Sequence, residues 1–279
     1  MRRGINNRKK KRVILKEINS KSLKLLSILI VVLIICFIIY FFFLQSSFIK
    51  KNFEKESLNI SDLNKNIPFT IEKIILFSNV TAESTTVNQS ILNLDISQYC
   101  DIGIYLNKSN KESIYVSSLY IDNIYSSSPE LGTPYLYRKK VPNLGKCSFN
   151  ENNIISDRFD FNIINSGEAL NYDNYEVYND FSTPISLGFY NKNIKTEFLS
   201  DNPELLYNGT LLKEALIPLS SIDCTVSFRI NIVTNSGEHY ICNVNFDIPF
   251  EDDSGPIYNV GYTIKEFNNN ELNNFIRIK

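Results

Sequence analysis

The sequence predicts a mainly β protein: a two-sheet sandwich, immunoglobulin-like or jelly-roll-like, with one short helix, carried behind a single N-terminal transmembrane helix. Three observations lead there. Apolar and polar residues alternate with period two in many short runs after residue 67, the pattern of strands with one face in a core. Clusters of Gly, Pro, Asn and Ser punctuate those runs, as at Ser128-Pro129-Glu130-Leu131-Gly132 and Asn165-Ser166-Gly167, where turns are expected. Ahead of them lies Leu25–Leu44, twenty residues without a charge, seventeen of them Leu, Ile, Val or Phe.

That uncharged run is the first element. As a helix it would be about 30 Å long, the thickness of a bilayer's hydrocarbon core. Its apolar residues favour insertion by about 5 to 10 kcal/mol. Residues 1–24 carry ten basic side chains and one acid, Glu17. The positive-inside rule places this tail in the cytoplasm and everything after Leu44 outside. A cleaved signal peptide fits less well, because the apolar core is long and no small-x-small site follows it. Residues 45–66 are polar and mixed in charge and read as a stalk. The expected organisation is a basic tail (1–24), a span in the lipid bilayer (25–44), a stalk (45–66) and a sandwich (67–279).

From position 25 onward there are 19 basic and 29 acidic residues, a net charge of −10. Nucleic acid requires a basic footprint, so it is excluded as a partner of this part. Five Asn-X-Ser/Thr sequons follow the span, at Asn59, Asn79, Asn88, Asn107 and Asn208. With 36 Asn and 40 Ser plus Thr in 279 residues, chance alone gives that number, so the sequons carry no information.

The clearest strands are Ile222–Thr234 and Tyr240–Phe250. Cys224, Val226, Phe228, Ile230 and Ile232 alternate with polar residues in the first; Tyr240, Cys242, Val244, Phe246 and Ile248 do so in the second. A three-residue loop, Asn235-Ser236-Gly237 with Gly237 left-handed, is the one that brings both apolar faces to the same side. It pairs Thr234 with Glu238, Ile232 with Tyr240 and Cys224 with Ile248. Cys224 and Cys242 then lie on the order of 20 Å apart, beyond disulfide reach. Cys100, Cys147, Cys224 and Cys242 are therefore either two bridges, each joining Cys224 or Cys242 to Cys100 or Cys147, or four buried thiols.

Further strands are expected at Phe69–Phe77, with Phe69, Ile71, Ile75 and Phe77 on one side, and at Ile91–Leu106, Ser113–Ile124, Arg158–Ile164, Pro184–Tyr190 and Asn259–Phe267. Leu205–Leu216 reads as the single short helix, with Thr210 as its cap.

Catalytic chemistry finds little to build on. The chain has one histidine, His239, on the outward side of its strand. It has no Gly-x-Ser-x-Gly elbow and no phosphate-cradling glycine loop. One histidine and no Cys-x-x-Cys exclude the usual zinc sets, and no cofactor or metal is expected. Glu251-Asp252-Asp253 reads as a solvated acidic turn rather than a calcium loop. The most suggestive segment is Asn171–Asp180, where Tyr172, Tyr175 and Tyr178 recur every third residue in a polar, acidic setting. These three tyrosines are the candidate binding surface for a protein or glycan at the cell surface. The expected protein is a non-catalytic binding, adhesion or scaffolding module at the cell envelope. The rivals are an anchored enzyme that acts on envelope polymers through paired carboxylates, and a subunit of a larger membrane complex.

Overall fold

A computed structural model describes residues 67–88, 91–109, 113–140, 147–202, 204–249 and 257–278. The basic tail, the span at 25–44, the stalk and the acidic turn at 251–253 lie outside the described residues. Among the described residues no helix is long and apolar enough to cross a membrane.

Eleven strands are described: β1 (Phe69–Asn88), β2 (Ile91–Lys108), β3 (Val116–Ser126), β4 (Thr133–Arg138), β5 (Phe159–Ile164), β6 (Glu176–Tyr178), β7 (Ile185–Ser200), β8 (Cys224–Thr234), β9 (His239–Ile248), β10 (Thr263–Asn268) and β11 (Ile276–Arg277). They form a five-stranded sheet in the order β10-β1-β2-β7-β4 and a six-stranded sheet in the order β11-β9-β8-β3-β5-β6. Neighbours are antiparallel except β5 and β6, which run parallel. The inner faces share one core: Ile74, Leu76, Ile102, Ile104, Leu187 and Phe189 from the first sheet meet Leu119, Ile121, Phe228, Ile230 and Val244 from the second. Phe69 meets Tyr240 edge-on across the gap, with ring centroids 5.1 Å apart. This is the β-sandwich that the alternation implies.

The β8–β9 hairpin has the register expected from its sequence. Cys224 pairs with Ile248, Phe228 with Val244 and Ile232 with Tyr240. Thr234 donates its N–H to the Glu238 carbonyl at 3.0 Å, closing the three-residue loop. Gly237 sits at φ 83°, in the left-handed region where a side chain is costly. Cys100, Cys224 and Cys242 are buried and Cys147 is half-buried, all as free thiols. Of the two alternatives for the cysteines, the structure has the thiols.

Strand β1 departs from the expected phase. Its pairing with β2 slips between Ile71 and Lys73, and such a bulge reverses the side-chain parity beyond it. Phe69 and Ile71 therefore point into the core together with Ile74 and Leu76 rather than with Ile75 and Phe77. Phe77 faces the other way, into a small outer cluster with Tyr99, Tyr137 and Tyr190. Lys73, an exception in the simple alternation, is half-exposed on the outer side of the slip.

Sheet length sets the second core. β1, β2 and β7 hold 20, 18 and 16 residues, whereas β8 and β9 hold 11 and 10. The long strands overrun the opposite sheet, and Val80, Leu94, Ile96 and Ile194 in the overhang are covered by Leu211, Leu212, Ala215, Ile217, Ile222 and Ile257. Those covering residues come from α1 (Thr210–Glu214), α2 (Ile257–Val260) and the segment between α1 and β8. The expected cap is corrected: Gly209 occupies the N-cap position, and Asn208 Oδ1 accepts from the Thr210 N–H at 2.9 Å and from the Thr210 hydroxyl at 2.7 Å. The single-helix expectation is corrected too, because Ile257–Val260 is helical and β10 starts only at Thr263. Strands β6 and β11, of three and two residues, are too short for their period to be read, and β4 was also not expected.

Gly237 gives a direct test of the hairpin. An added Cβ there meets nothing within 4 Å, so Gly237→Ala adds only backbone strain, about 1 to 2 kcal/mol. Urea unfolding monitored by tyrosine fluorescence should show that loss, and Gly237→Asn should recover most of it.

Candidate functional site

The tyrosine segment enters the fold beside the edge of the six-stranded sheet. Asn171 Oδ1 accepts from the Asp173 N–H at 3.0 Å and starts a 3-10 turn, Tyr172–Asn174. Tyr175 ends the turn in the left-handed region, at φ 54°, and Glu176 opens β6. That reversal separates the three rings. Tyr172 is 44% exposed. Tyr175 turns inward, edge-on to Phe159 at 5.1 Å, with the Arg138 guanidinium 5.7 Å from its ring. Tyr178 donates its hydroxyl to the Glu168 carbonyl at 2.8 Å. The structure thus brings Tyr172 and Tyr175 to one cleft and leaves Tyr178 outside it.

The cleft is completed by residues that sequence reasoning missed: Lys139, Lys140, Glu176, Thr183 and Ser186. It is shallow and open to solvent, with a volume of about 20 Å³. Lys140 is paired with Asp173 at 3.0 Å. Glu176 accepts from the Asn171 N–H at 2.6 Å and from Asn174 Nδ2 at 3.2 Å. The Thr183 and Ser186 hydroxyls are buried and have no hydrogen-bond partner among the described residues.

Behind the cleft lies a buried ion pair, Lys139 Nζ to Asp101 Oδ1 at 2.5 Å. Asp101 is opposite Gly188 and Gly188 is opposite Tyr137. A Cβ on Gly188 would stand 2.1 Å from the Tyr137 ring, so that ring lies flat over the glycine. Burial pushes the Asp101 carboxyl up to about 6, with Lys139 pulling only partly against it. Burial also raises Tyr99, Tyr137 and Cys147 around it. The one sequence signal for this pair was an aspartate inside the apolar run Cys100–Leu106.

His239 occupies the outward face of the six-stranded sheet, as expected. Its Nε2 is 3.0 Å from Asn231 Oδ1. Asn231 Nδ2 donates to Asp122 Oδ1 at 2.8 Å, which leaves the amide oxygen for the imidazole and puts the ring proton on Nε2. Arg229 grips Asp122 through Nε at 2.8 Å and Nη2 at 2.9 Å and holds its carboxyl below the usual range, chiefly by that hydrogen bonding. Burial, then Arg229, lowers the His239 pKa. The imidazole is therefore neutral near pH 7 and ends a chain of hydrogen bonds across β3, β8 and β9. Among the described residues no group of three or more His, Cys, Asp or Glu could hold a metal ion.

The described part of the chain is thus a two-sheet β-sandwich with a small polar cleft at one sheet edge. Comparison with protein-family models, with curated proteins and with solved structures gave no match.

The buried pair makes stability depend on pH. An aspartate near 3.9 in the unfolded chain and near 6 in the fold is deprotonated first in the unfolded state. Stability contributed below pH 4 is then lost as pH rises to 6, by about 3 kcal/mol. Urea midpoints across pH 4 to 7 should fall over that window. The double variant Asp101→Asn/Lys139→Met should lose that part of the slope.

Proposed function

We propose that this chain is a single-pass membrane protein, N-terminus in the cytoplasm, that holds its β-sandwich outside the cell membrane as a non-catalytic binding module. The observation that carries the reading is the twenty-residue uncharged run Leu25–Leu44 with ten basic residues before it. The charge contrast supports it, with the acidic part of the chain following the span. The cleft at Tyr172 and Tyr175 supports a binding role: it combines an exposed ring with paired charges at a sheet edge.

Orientation is tested with intact cells that express the chain with a cytoplasmic epitope at its N-terminus. Added protease should degrade the sandwich and leave the epitope with the span. A protected sandwich and a lost epitope would reverse the topology, and recovery of the whole chain in the soluble fraction would remove the span.

A further inference from the structure

We propose that Asp101 and Lys139 are the reacting halves of an intramolecular amide bond: in the folded chain the Lys139 side-chain amine condenses with the Asp101 carboxyl and one water leaves. The inference depends neither on the membrane topology nor on the tyrosine cleft. Three features carry it.

The first is geometry. Lys139 Nζ lies 2.5 Å from Asp101 Oδ1. A carbon–oxygen bond adds about 1.2 Å. Nζ is then at most about 3.7 Å from the carboxyl carbon, close to the roughly 3 to 3.5 Å of a reactive contact. The sheet fixes both backbones. Asp101 pairs with Phe77 on β1 and with Gly188 on β7, and Lys139 directly follows Arg138, which pairs with Leu187 on β7. Amine and acid are thus held together before they react, which replaces a collision between separate molecules.

The second is dryness. The Lys139 and Asp101 side chains are 2% and 3% exposed, whereas those of the Arg229–Asp122 pair are 35% and 21% exposed. Tyr137 fills the place of the side chain that Gly188, opposite Asp101, lacks. Phe149 stands edge-on to Tyr137 at 5.5 Å and stacks on Tyr190 at 4.0 Å. Burying two full charges is costly even when they are paired, and an uncharged amide does not carry that cost. Asp101 Oδ2 adds to it, because it is buried without a hydrogen-bond partner among the described residues, so no second donor holds the carboxylate's charge. Exclusion of water also opposes hydrolysis of the finished bond.

The third is the proton inventory. A proton passed from the ammonium to the carboxylate gives a neutral amine and a neutral acid, the forms that apolar surroundings favour. Burial already pushes the Asp101 carboxyl up to about 6. The Nζ lone pair attacks the carboxyl carbon, the N–C bond forms and one C–O bond breaks. The departing hydroxyl takes one amine proton and leaves as water, while the other proton stays on the amide nitrogen. Nothing is oxidised or reduced. Tyr99 and Tyr137, kept protonated chiefly by burial and also by the Asp101 charge, can relay the proton.

The test is a peptide map of the full chain, purified in detergent micelles, unfolded in urea and cut with trypsin. Cleavage after Lys73 and Lys108 releases peptide 74–108; where Lys139 is blocked, cleavage after Arg138 and Lys140 leaves the dipeptide 139–140 attached to it. The expected product is this branched peptide, one water lighter than its two parts, with fragment ions that place the branch at Asp101 and Lys139. Lys139→Arg keeps a cation beside Asp101 without an amine to acylate. It should return 74–108 at its own mass, and circular dichroism checks that it folds. A linked chain has no Asp101 carboxyl to titrate, so the fall in stability between pH 4 and 6 belongs to unlinked chains alone. Wild-type 74–108 found only at its own mass would overturn the inference. Loss of water without gain of the dipeptide would mark a succinimide and overturn it as well, and so would a branch at any other lysine.

Discussion

A strand of 20 residues is roughly 66 Å long and one of 11 residues roughly 36 Å. A sheet that contains β1, β2 and β7 cannot be covered by a partner sheet built on β8 and β9. This mismatch governs the architecture. The inner faces of the two sheets make one core, and the overhang needs a second cover, supplied by α1, α2 and the segment that leads into β8. The short helices are therefore not ornaments on a sandwich. Without them Val80, Leu94, Ile96 and Ile194 would face water, at about 1.5 to 3 kcal/mol for each large side chain.

Buried polar groups mark where distant segments are tied together. Lys108, buried at the end of β2, donates to the Ile114 carbonyl at 2.7 Å and to the Asn179 carbonyl and side chain at 2.8 Å each. Asn179 in turn donates to the Val116 carbonyl at 3.0 Å. One cation thus joins the exit of β2, the entry to β3 and the segment after β6. Asp101 and Lys139 join β2 to the end of β4 in the same way. Buried ions of this kind add little net stability, because desolvation offsets attraction. Their effect here is positional: each fixes the end of a short edge strand whose own ladder holds few hydrogen bonds.

The cleft illustrates the same logic. Tyr172 and Tyr175 are local, yet the residues that complete their cleft come from the segment after β4, the residues just before β7 and the start of β7. The turn at Tyr175, forced into the left-handed region, decides which ring faces out and which packs inward. The His239 network on the other sheet is spent on itself: its imidazole, amide, carboxylate and guanidinium satisfy one another across three strands.

The hairpin was legible because its determinants are neighbours. Alternation in two adjacent runs and a glycine at the third loop position leave one register that puts both apolar faces together, and the ladder has it. The existence of most strands was legible for the same reason. The phase of β1 was not, since its bulge at Ile71–Lys73 is a property of the ladder with β2 and not of the run itself. The lengths of β1 and β7 and the pairing of Asp101 with Lys139 were also hidden, because each depends on a strand far away in the chain. Periodicity reports which face of a segment is apolar. Only the assembled sheets decide what that face meets, and hence where a carboxylate and a lysine come together.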